Sequence, residues 1–465
     1  MYHKPKPKSS EEIEREYKSK KSYFGLPFEV KFCKKCIISN QRPVSEILYK
    51  NNIKTQKKTI RIHDDGICDA CKFNEKKRKD IDWEDREKQL KDLCNKHRGD
   101  GNDYDCIVPG SGGKDSFFVA HMLKYKYNMN PLTITWAPHM YTETGRKNME
   151  NWSNAGFDNY LVTPNRKIQR LLTRLAIDNL FNPFQPFVFG QKFLAPKIAL
   201  KLGIKLIFYG ENAAEYGNDT AEGELPTMNI DYFSTNKIEE DKTFIGGVSI
   251  RELKAKFGLK HIDLLNYLPI NTDKLSQSDV EVYYFGYFKK WHQQSNYYYA
   301  VKHGGFVTNP ERMPGTYTKY TSCDDKMEDF NYYTLGIKFG LGWTSNIASF
   351  EIRDGDLTRE EGVALAKKYD LEFPKRFLDD LFRYLTIGKE EYPIAHKMFE
   401  EPEFNYEYFM NLHDRFRSPH LWKKTANNVW QLRNTVWDDA KKSNTLTDKQ
   451  ELNAMKWEGN LGDKV

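Results

Sequence analysis

The sequence contains no uninterrupted apolar run of bilayer-spanning length, and its opening residues, MYHKPKPKSSEEIEREYKSKK, are basic and polar with no apolar core behind them. Neither a membrane span nor a secretory leader is expected, and the cytoplasm is the expected compartment. Nor is one sign of charge in great excess: 72 Lys and Arg face 65 Asp and Glu, a net +7 over 465 residues. That balance suits phosphorylated small molecules as well as nucleic acid and selects neither. Internal repeats and low-complexity tracts are absent too, which excludes solenoids and arrays. What remains, with 14% aromatic and 29% charged residues, is a globular composition in a chain long enough for two or more domains.

Cysteine is scarce, but four of the seven form two pairs, Cys33 and Cys36 in FCKKCI and Cys68 and Cys71 in GICDACKF, while Cys94, Cys106 and Cys323 stand alone. Two residues between cysteines turn both thiolates to one side of a tight knuckle, and two knuckles supply the four soft ligands of a tetrahedral zinc. Four thiolates leave no open coordination position, so the zinc would be structural. Disulfides or redox thiols fit less well without a secretory leader, and an iron–sulfur cluster is a further alternative. The 31 residues between the pairs alternate like a small hairpin.

From about residue 103 short apolar runs alternate with amphipathic ones. YDCIVPG, PLTITWA, DNYLVTP and IKLIFYGEN read as strands. Helices are predicted at KDSFFVAHMLKYKY, at TETGRKNMENWSNAG with Thr142 or Thr144 as cap, and over residues 166–180 and 190–202. Such alternation predicts an α/β fold with a doubly wound, mostly parallel sheet whose ligands sit at the carboxyl ends of the strands. The first of those ends is PGSGGKDS, where Gly110, Gly112 and Gly113 let backbone N–H groups converge on an anion at the start of a helix and Lys114 adds a charge. It is not a Walker loop, because Val108 stands where the first glycine is required and Asp115 follows the lysine.

Ser-Gly-Gly-x-Asp-Ser between an apolar strand and a helix resembles the pyrophosphate-binding PP-loop of the ATP pyrophosphatases, whose fold is of the adenine nucleotide alpha hydrolase-like type. That resemblance implies ATP cleavage between the α and β phosphates, with an adenylated intermediate and pyrophosphate retained by the loop. Gly110, Ser111, Gly112, Gly113 and Ser116 would then hold ATP and its pyrophosphate, with Thr135, Trp136 and Gly210 also on the nucleotide. Lys114 would neutralise charge and Asp115 would anchor Mg2+, a hard cation that carboxylates beside phosphate suit. Glu211 and Asn212 in YGEN, with Glu215 four residues on, are candidates for substrate or magnesium.

The order of four-cysteine module, loop, IFYGENAAEYGND, the TSCDDKMEDFNYYTLGIKFGLGW segment and FRSPHLWKK resembles the N-acetyl sugar amidotransferases of bacterial surface-polysaccharide (LPS O-antigen, capsule) and nonulosonic (pseudaminic) acid pathways, from about Cys33 to about Lys424. The resemblance implies that a sugar acetamido oxygen attacks ATP and that ammonia then displaces AMP, leaving an acetamidino group. It places Asp324, Asp325 and Lys326 of SCDDK at the active site, Lys326 on the α phosphate and one carboxylate on ammonia. No cysteine has a glutaminase setting, so ammonia would come from a separate glutaminase with an ammonia-channelling subunit, like those of imidazole glycerol phosphate synthase. The substrate would be a nucleotide-linked or free N-acetylated sugar; no membrane or nucleic-acid partner is expected. The rival is a PP-loop tRNA sulfurtransferase or tRNA-modifying ligase, which would want reactive cysteines near the nucleotide and a basic stripe for RNA.

The expected organisation is a basic N-terminal arm over 1–30, a zinc module over 31–80, the ATP pyrophosphatase domain over 81–345 and a mainly helical region over 346–465. Within the last, RDGDLTREEG reads as a turn and a helix capped by Thr358 with Glu361, not as a calcium loop. The aromatic-rich EVYYFGYFKKWHQQSNYYYAVKHGG reads as packed core.

Overall fold

The computed structural model describes residues 2–442, so that 443–465, the end of the expected helical region, lie outside the described residues. Five strands, β1 (Cys106–Pro109), β2 (Pro131–Trp136), β3 (Asn159–Val162), β4 (Leu206–Tyr209) and β5 (Glu281–Tyr284), form one sheet in the order β3-β2-β1-β4-β5. Every pairing in it is parallel. Side chains alternate across it as the pleat requires. Ile107, Leu132 and Ile207 enter one core, and Cys106, Val108, Leu206 and Phe208 enter the other. Both faces are therefore buried over β1, β2 and β4, which explains why those strands read as continuous apolar runs, while the edge strand β3 leaves Tyr160 and Leu161 exposed.

The helices that matter to the site are α1 (Asp69–Lys79), α2 (Lys114–Tyr125), α3 (Glu143–Asn154), α4 (Arg166–Leu180), α5 (Gln185–Leu202), α6 (Gln293–Gly304), α7 (Glu328–Phe339), α8 (Trp343–Asp354) and α9 (Arg359–Tyr369). Helices α2 and α6 cover one face through Phe117, Ala120, Tyr297 and Ala300, while α5 covers the other through Phe189, Phe193 and Ala195. Thr142, not Thr144, caps α3, its hydroxyl accepting from Gly145 N at 2.8 Å. Helix α5 starts at Gln185, earlier than the predicted 190, because Pro186 is at home in a first turn. Thr358 and Glu361 close the predicted capping box on α9. The aromatic-rich segment does pack as core, with Phe285, Phe288, Trp291 and Tyr297 buried.

Two regions bear on the expected organisation. The 31 residues between the cysteine pairs form isolated bridges, Pro43 with Thr59 among them, and a short 3-10 turn at Leu48–Lys50. Their side chains pack outward onto neighbouring elements, Tyr49 for instance donating to Ser234 O at 2.8 Å, so they need no ladder of their own. The expected boundary at 345/346 falls inside α8, which packs on α9 and α1 alike. The N-terminal arm lies along the C-terminal helices: Tyr2 N donates to Met398 O at 2.6 Å and Lys8 N to Asp414 at 2.9 Å. Among the described residues no helix is long and apolar enough to cross a membrane.

Candidate functional site

Connections from β1 run towards β2 and β3 on one side, and β4 and β5 lie on the other, so the crevice of the sheet opens between β1 and β4 at their carboxyl ends. The loop Gly110–Gly113 fills one lip and Gly210–Glu211 the other. Gly112 sits at φ +84°, and a Cβ there would lie 2.5 Å from Asn148 O. At Gly110 a Cβ would come within 2.4 Å of the Ser116 Cβ, so the loop has no room for side chains at either position. Gly113 caps α2 without any side chain, which leaves the first N–H groups of that helix free to meet an anion.

Two adjoining cavities share this loop. The first, 400 Å³, has apolar walls from Ile134, Trp136, Leu194 and Phe208 and a polar end at Ser111, Ser116 and Glu211. The indole Nε1 of Trp136, one of those wall residues, is buried with no partner in the protein. Thr135 points away, donating to Gly110 O at 2.6 Å, and so holds the loop rather than lining this cavity. The second cavity, 240 Å³, is lined by Ser111, Lys114, Asp115, Asp324, Glu328 and Trp343 among others. Tyr332 and Trp343 stack at 3.7 Å to form an aromatic wall.

Lys114 is buried and hydrogen-bonded to Asp115, whose other oxygen accepts from Asn296 Nδ2 at 3.0 Å. Glu211 accepts from the Tyr216 hydroxyl, and burial followed by the negative charge of Asp115 raises its pKa. Two hard carboxylates pressed together beside an anion cradle are a donor set that fits magnesium.

The segment Asp324–Lys326 is held against His139–Thr142: Lys326 N donates to Met140 O at 2.9 Å and Thr142 N to Asp324 O at 3.1 Å. Consecutive side chains therefore diverge. Asp324 faces the second cavity, where burial lifts it to about 6 against the tempering Ser111 hydroxyl. Asp325 turns inward to accept from His139 N at 2.7 Å and Met327 N at 3.0 Å, with His139 Nδ1 also at 2.7 Å. Lys326 turns outward to Asp380 at 2.6 Å. Of the expected trio only Asp324 lines the cavity; Asp325 ties two segments together and Lys326 is anchored elsewhere, because the chain bends at Asp324 and turns at Lys326 on either side of the single bridge at Asp325.

Past β4 the same correction applies. Asn212 is buried as the cap of the next turn, accepting from Ala214 N at 2.9 Å. Glu215 is turned to the buried Lys77 of α1, which donates to it at 2.8 and 3.0 Å. Glu211 alone of the three faces the cavities. A turn of 3-10 type spaces side chains differently from an α-helix, so the predicted shared face of Glu211 and Glu215 does not form.

Sequence reasoning passed over Glu328, Ser322, Tyr332 and Trp343. Ser322 adopts φ +56°, a costly conformation for serine and a mark of a constrained site. The signal was faint: a glutamate opening an aromatic helix one turn after Asp324.

All four paired cysteines are buried, their sulfurs within 4.8 Å of one another. Cys33 and Cys71 lie 3.8 Å apart and Cys36 and Cys68 3.7 Å. A tetrahedron with Zn–S of about 2.3 Å has S···S edges of about 3.8 Å, so the spacing is that of one ion. The module braces the site: Lys77 grips Glu215 behind Glu211, Arg353 of α8 donates to Glu215 O at 3.1 Å, and Arg42 Nε to Asn346 Oδ1 at 2.9 Å.

Residues 314–436 match the family described as LPS biosynthesis protein WbpG-like, C-terminal domain. None of the curated proteins matches the chain. The matched stretch carries Asp324, Glu328, Tyr332 and Trp343, one whole wall of the second cavity, and it points to a role in lipopolysaccharide biosynthesis.

Proposed function

We propose that the protein is an ATP-dependent amidotransferase of the PP-loop type that converts a sugar acetamido group to an acetamidino group in bacterial surface-glycan synthesis. The observation that carries the reading is the shared loop: one cavity offers a flat apolar slot ending in an anion cradle, the other an acidic, aromatic-walled chamber, and Ser111, Gly113 and Asp115 line both. ATP in the slot would present its α phosphorus at the seam. An acetamido oxygen from the chamber attacks it, pyrophosphate stays on the N–H groups of Gly112, Gly113 and the start of α2, and Lys114 neutralises the developing charge. Asp115 and Glu211 would hold magnesium, which when bound offsets the phosphate charge. Ammonia then displaces AMP at the activated carbon. Trp343 and Tyr332 provide the apolar face on which a sugar ring stacks.

The match to an LPS biosynthesis domain supports a glycan substrate over RNA. The single cysteines argue the same way. Cys323 in the chamber is buried and pushed up to about 12, and Cys106 within β1 is raised well above the ordinary thiol range, so neither is poised for sulfur transfer. A partner glutaminase as ammonia source is part of the proposal, as is a structural zinc at Cys33, Cys36, Cys68 and Cys71.

The test is to incubate the protein with ATP, magnesium, ammonium chloride and UDP- or CMP-linked acetamido sugars and to follow AMP and sugar mass. One AMP per sugar that loses about one dalton, the mass change when O gives way to NH, is the expected result. AMP formation only with tRNA would overturn the reading.

A further inference from the structure

The second cavity contains a carboxyl that the proposed reaction has not yet used. Glu328 is the first residue of α7, where the helix dipole favours a carboxylate. It is nevertheless pushed well above its ordinary pKa by burial first and then by the charges of Asp324 and Asp325. Its Oε2 is buried with no hydrogen-bond partner in the protein, and Ser322 Oγ close by is likewise buried without a bond of normal geometry, though near enough to temper the rise. Asp324, one turn earlier, lines the same cavity and rests at about 6. Two carboxyls of different acidity thus share one chamber beside Ser111 and Lys114. Environments that drive neighbouring carboxyls apart in this way assign one as base and the other as acid.

Resting on the proposed amidotransferase reading, we infer that Glu328 is the proton donor of the ammonia step and Asp324 its paired acceptor. The lone pair of ammonia forms the new C–N bond at the adenylated carbon, and the C–O bond to AMP breaks with its electron pair leaving on the AMP oxygen. The proton shed by the new nitrogen passes to the Asp324 carboxylate. The sugar-bound imidate nitrogen takes its proton from Glu328. The product is an amidinium cation, and the pair ends with one proton moved from Glu328 to Asp324, so charge and atoms balance. The other ionisable groups around Glu328 are Cys323, Asp325 and Asp329 from its own segment and Tyr332 from its own helix. Lys114 and Asp115 of α2, Tyr216 and Tyr320 line the cavity from the other elements.

Two measurements decide. AMP release with ammonium chloride and the UDP- and CMP-linked sugar panel, expressed per concentration of free ammonia at each pH so that the protonation of ammonia itself drops out, should fall on both sides of an optimum. Glu328→Gln should lower it about 100-fold and remove the alkaline limb, and Asp324→Asn should remove the acid limb. An unchanged alkaline limb in Glu328→Gln, or a loss within about threefold, overturns the assignment. Infrared spectra of the whole protein between pH 5 and 9 should show, beside the absorption of Glu351 and the other buried carboxyls, a protonated carboxyl C=O band at neutral pH that Glu328→Gln alone abolishes. Its persistence in the variant overturns the assignment as well. Should the wild type release no AMP with any sugar, the amidotransferase reading fails, and the infrared band alone still decides whether Glu328 keeps its proton.

Discussion

In the cysteine module the buried polar groups have partners, whereas around the loop after β1 several do not. Asp69 receives Arg61 N at 3.1 Å and His63 at 2.8 Å, and Lys77 is gripped by Glu215 and Trp291 O. Among the described residues no side-chain atom between 31 and 80 is buried without a partner. Across the two cavities Trp136 Nε1, Ser322 Oγ, Glu328 Oε2 and Trp343 Nε1 all are. A buried polar atom left unpaired costs about 1–3 kcal/mol, and four in one place are tolerated only where something else satisfies them. The module satisfies its own polar groups; the cavity walls leave several of theirs unpaired. What joins the regions is Lys77 with Glu215 and Arg353, which pass the rigidity of the first to the loop that carries Glu211.

The sharpest way to break this division is to open the module. Cys68→Ser should abolish stoichiometric zinc by metal analysis and lower the thermal midpoint by on the order of 5 °C or more, since zinc sites of this kind contribute many kcal/mol to folding. Retained zinc and midpoint would show that the four sulfurs are not a metal site. Lys114→Ala, on the other side of the division, should lower AMP formation about 1,000-fold while zinc content and thermal midpoint stay near wild type. A comparable loss of stability instead would make Lys114 a structural residue.

How much of this division the sequence could show follows from the range of the interactions. The strands, the loop and the cysteine pairs were legible because each is a local pattern: Gly112 needs its left-handed backbone and the paired thiols need two intervening residues whatever the rest of the chain does. The directions of Asp325 and Lys326 could not be read from the sequence because they depend on pairing with His139–Thr142, some 185 residues away in sequence. The direction of Glu215 was not legible because its partner, Lys77, belongs to another part of the chain. Glu328 was missed for the same reason: its burial comes from segments that the linear pattern cannot bring together.

The link between the regions gives an intermediate effect. Lys77→Met removes one partner of a pair in which both side chains are nearly fully buried, and it leaves Glu215 charged with only Arg353 nearby. A loss of about 3–5 kcal/mol is expected in denaturant unfolding, and the double variant Lys77→Met with Glu215→Leu should recover part of it. If the single variant costs less than about 1 kcal/mol, the module does not brace the loop.

The smallest effect lies behind the cavity wall, where Tyr320 carries Glu351 as its partner. Glu351 is 2% exposed, accepts from Tyr317 and from Tyr320 at 2.5 and 3.0 Å, and burial still raises it to about 7. A carboxyl whose folded pKa exceeds its unfolded value of about 4.3 contributes stability that is complete below that value and is lost as pH rises through about 7. The loss approaches about 4 kcal/mol on the alkaline side, at 1.36 kcal/mol per pKa unit. Thermal unfolding of the wild type should therefore weaken between about pH 5 and 8, and Glu351→Gln should flatten that slope because nothing remains to ionise. The change should not reach the zinc content, since the Glu351 carboxylate bonds to Tyr317, Tyr320 and Gln294 rather than to the cysteines. A slope that survives in the variant would move the titration to Asp370, which burial holds at about 6 beside Ser345, and would separate the wall's own stability from the chemistry of Asp324 and Glu328.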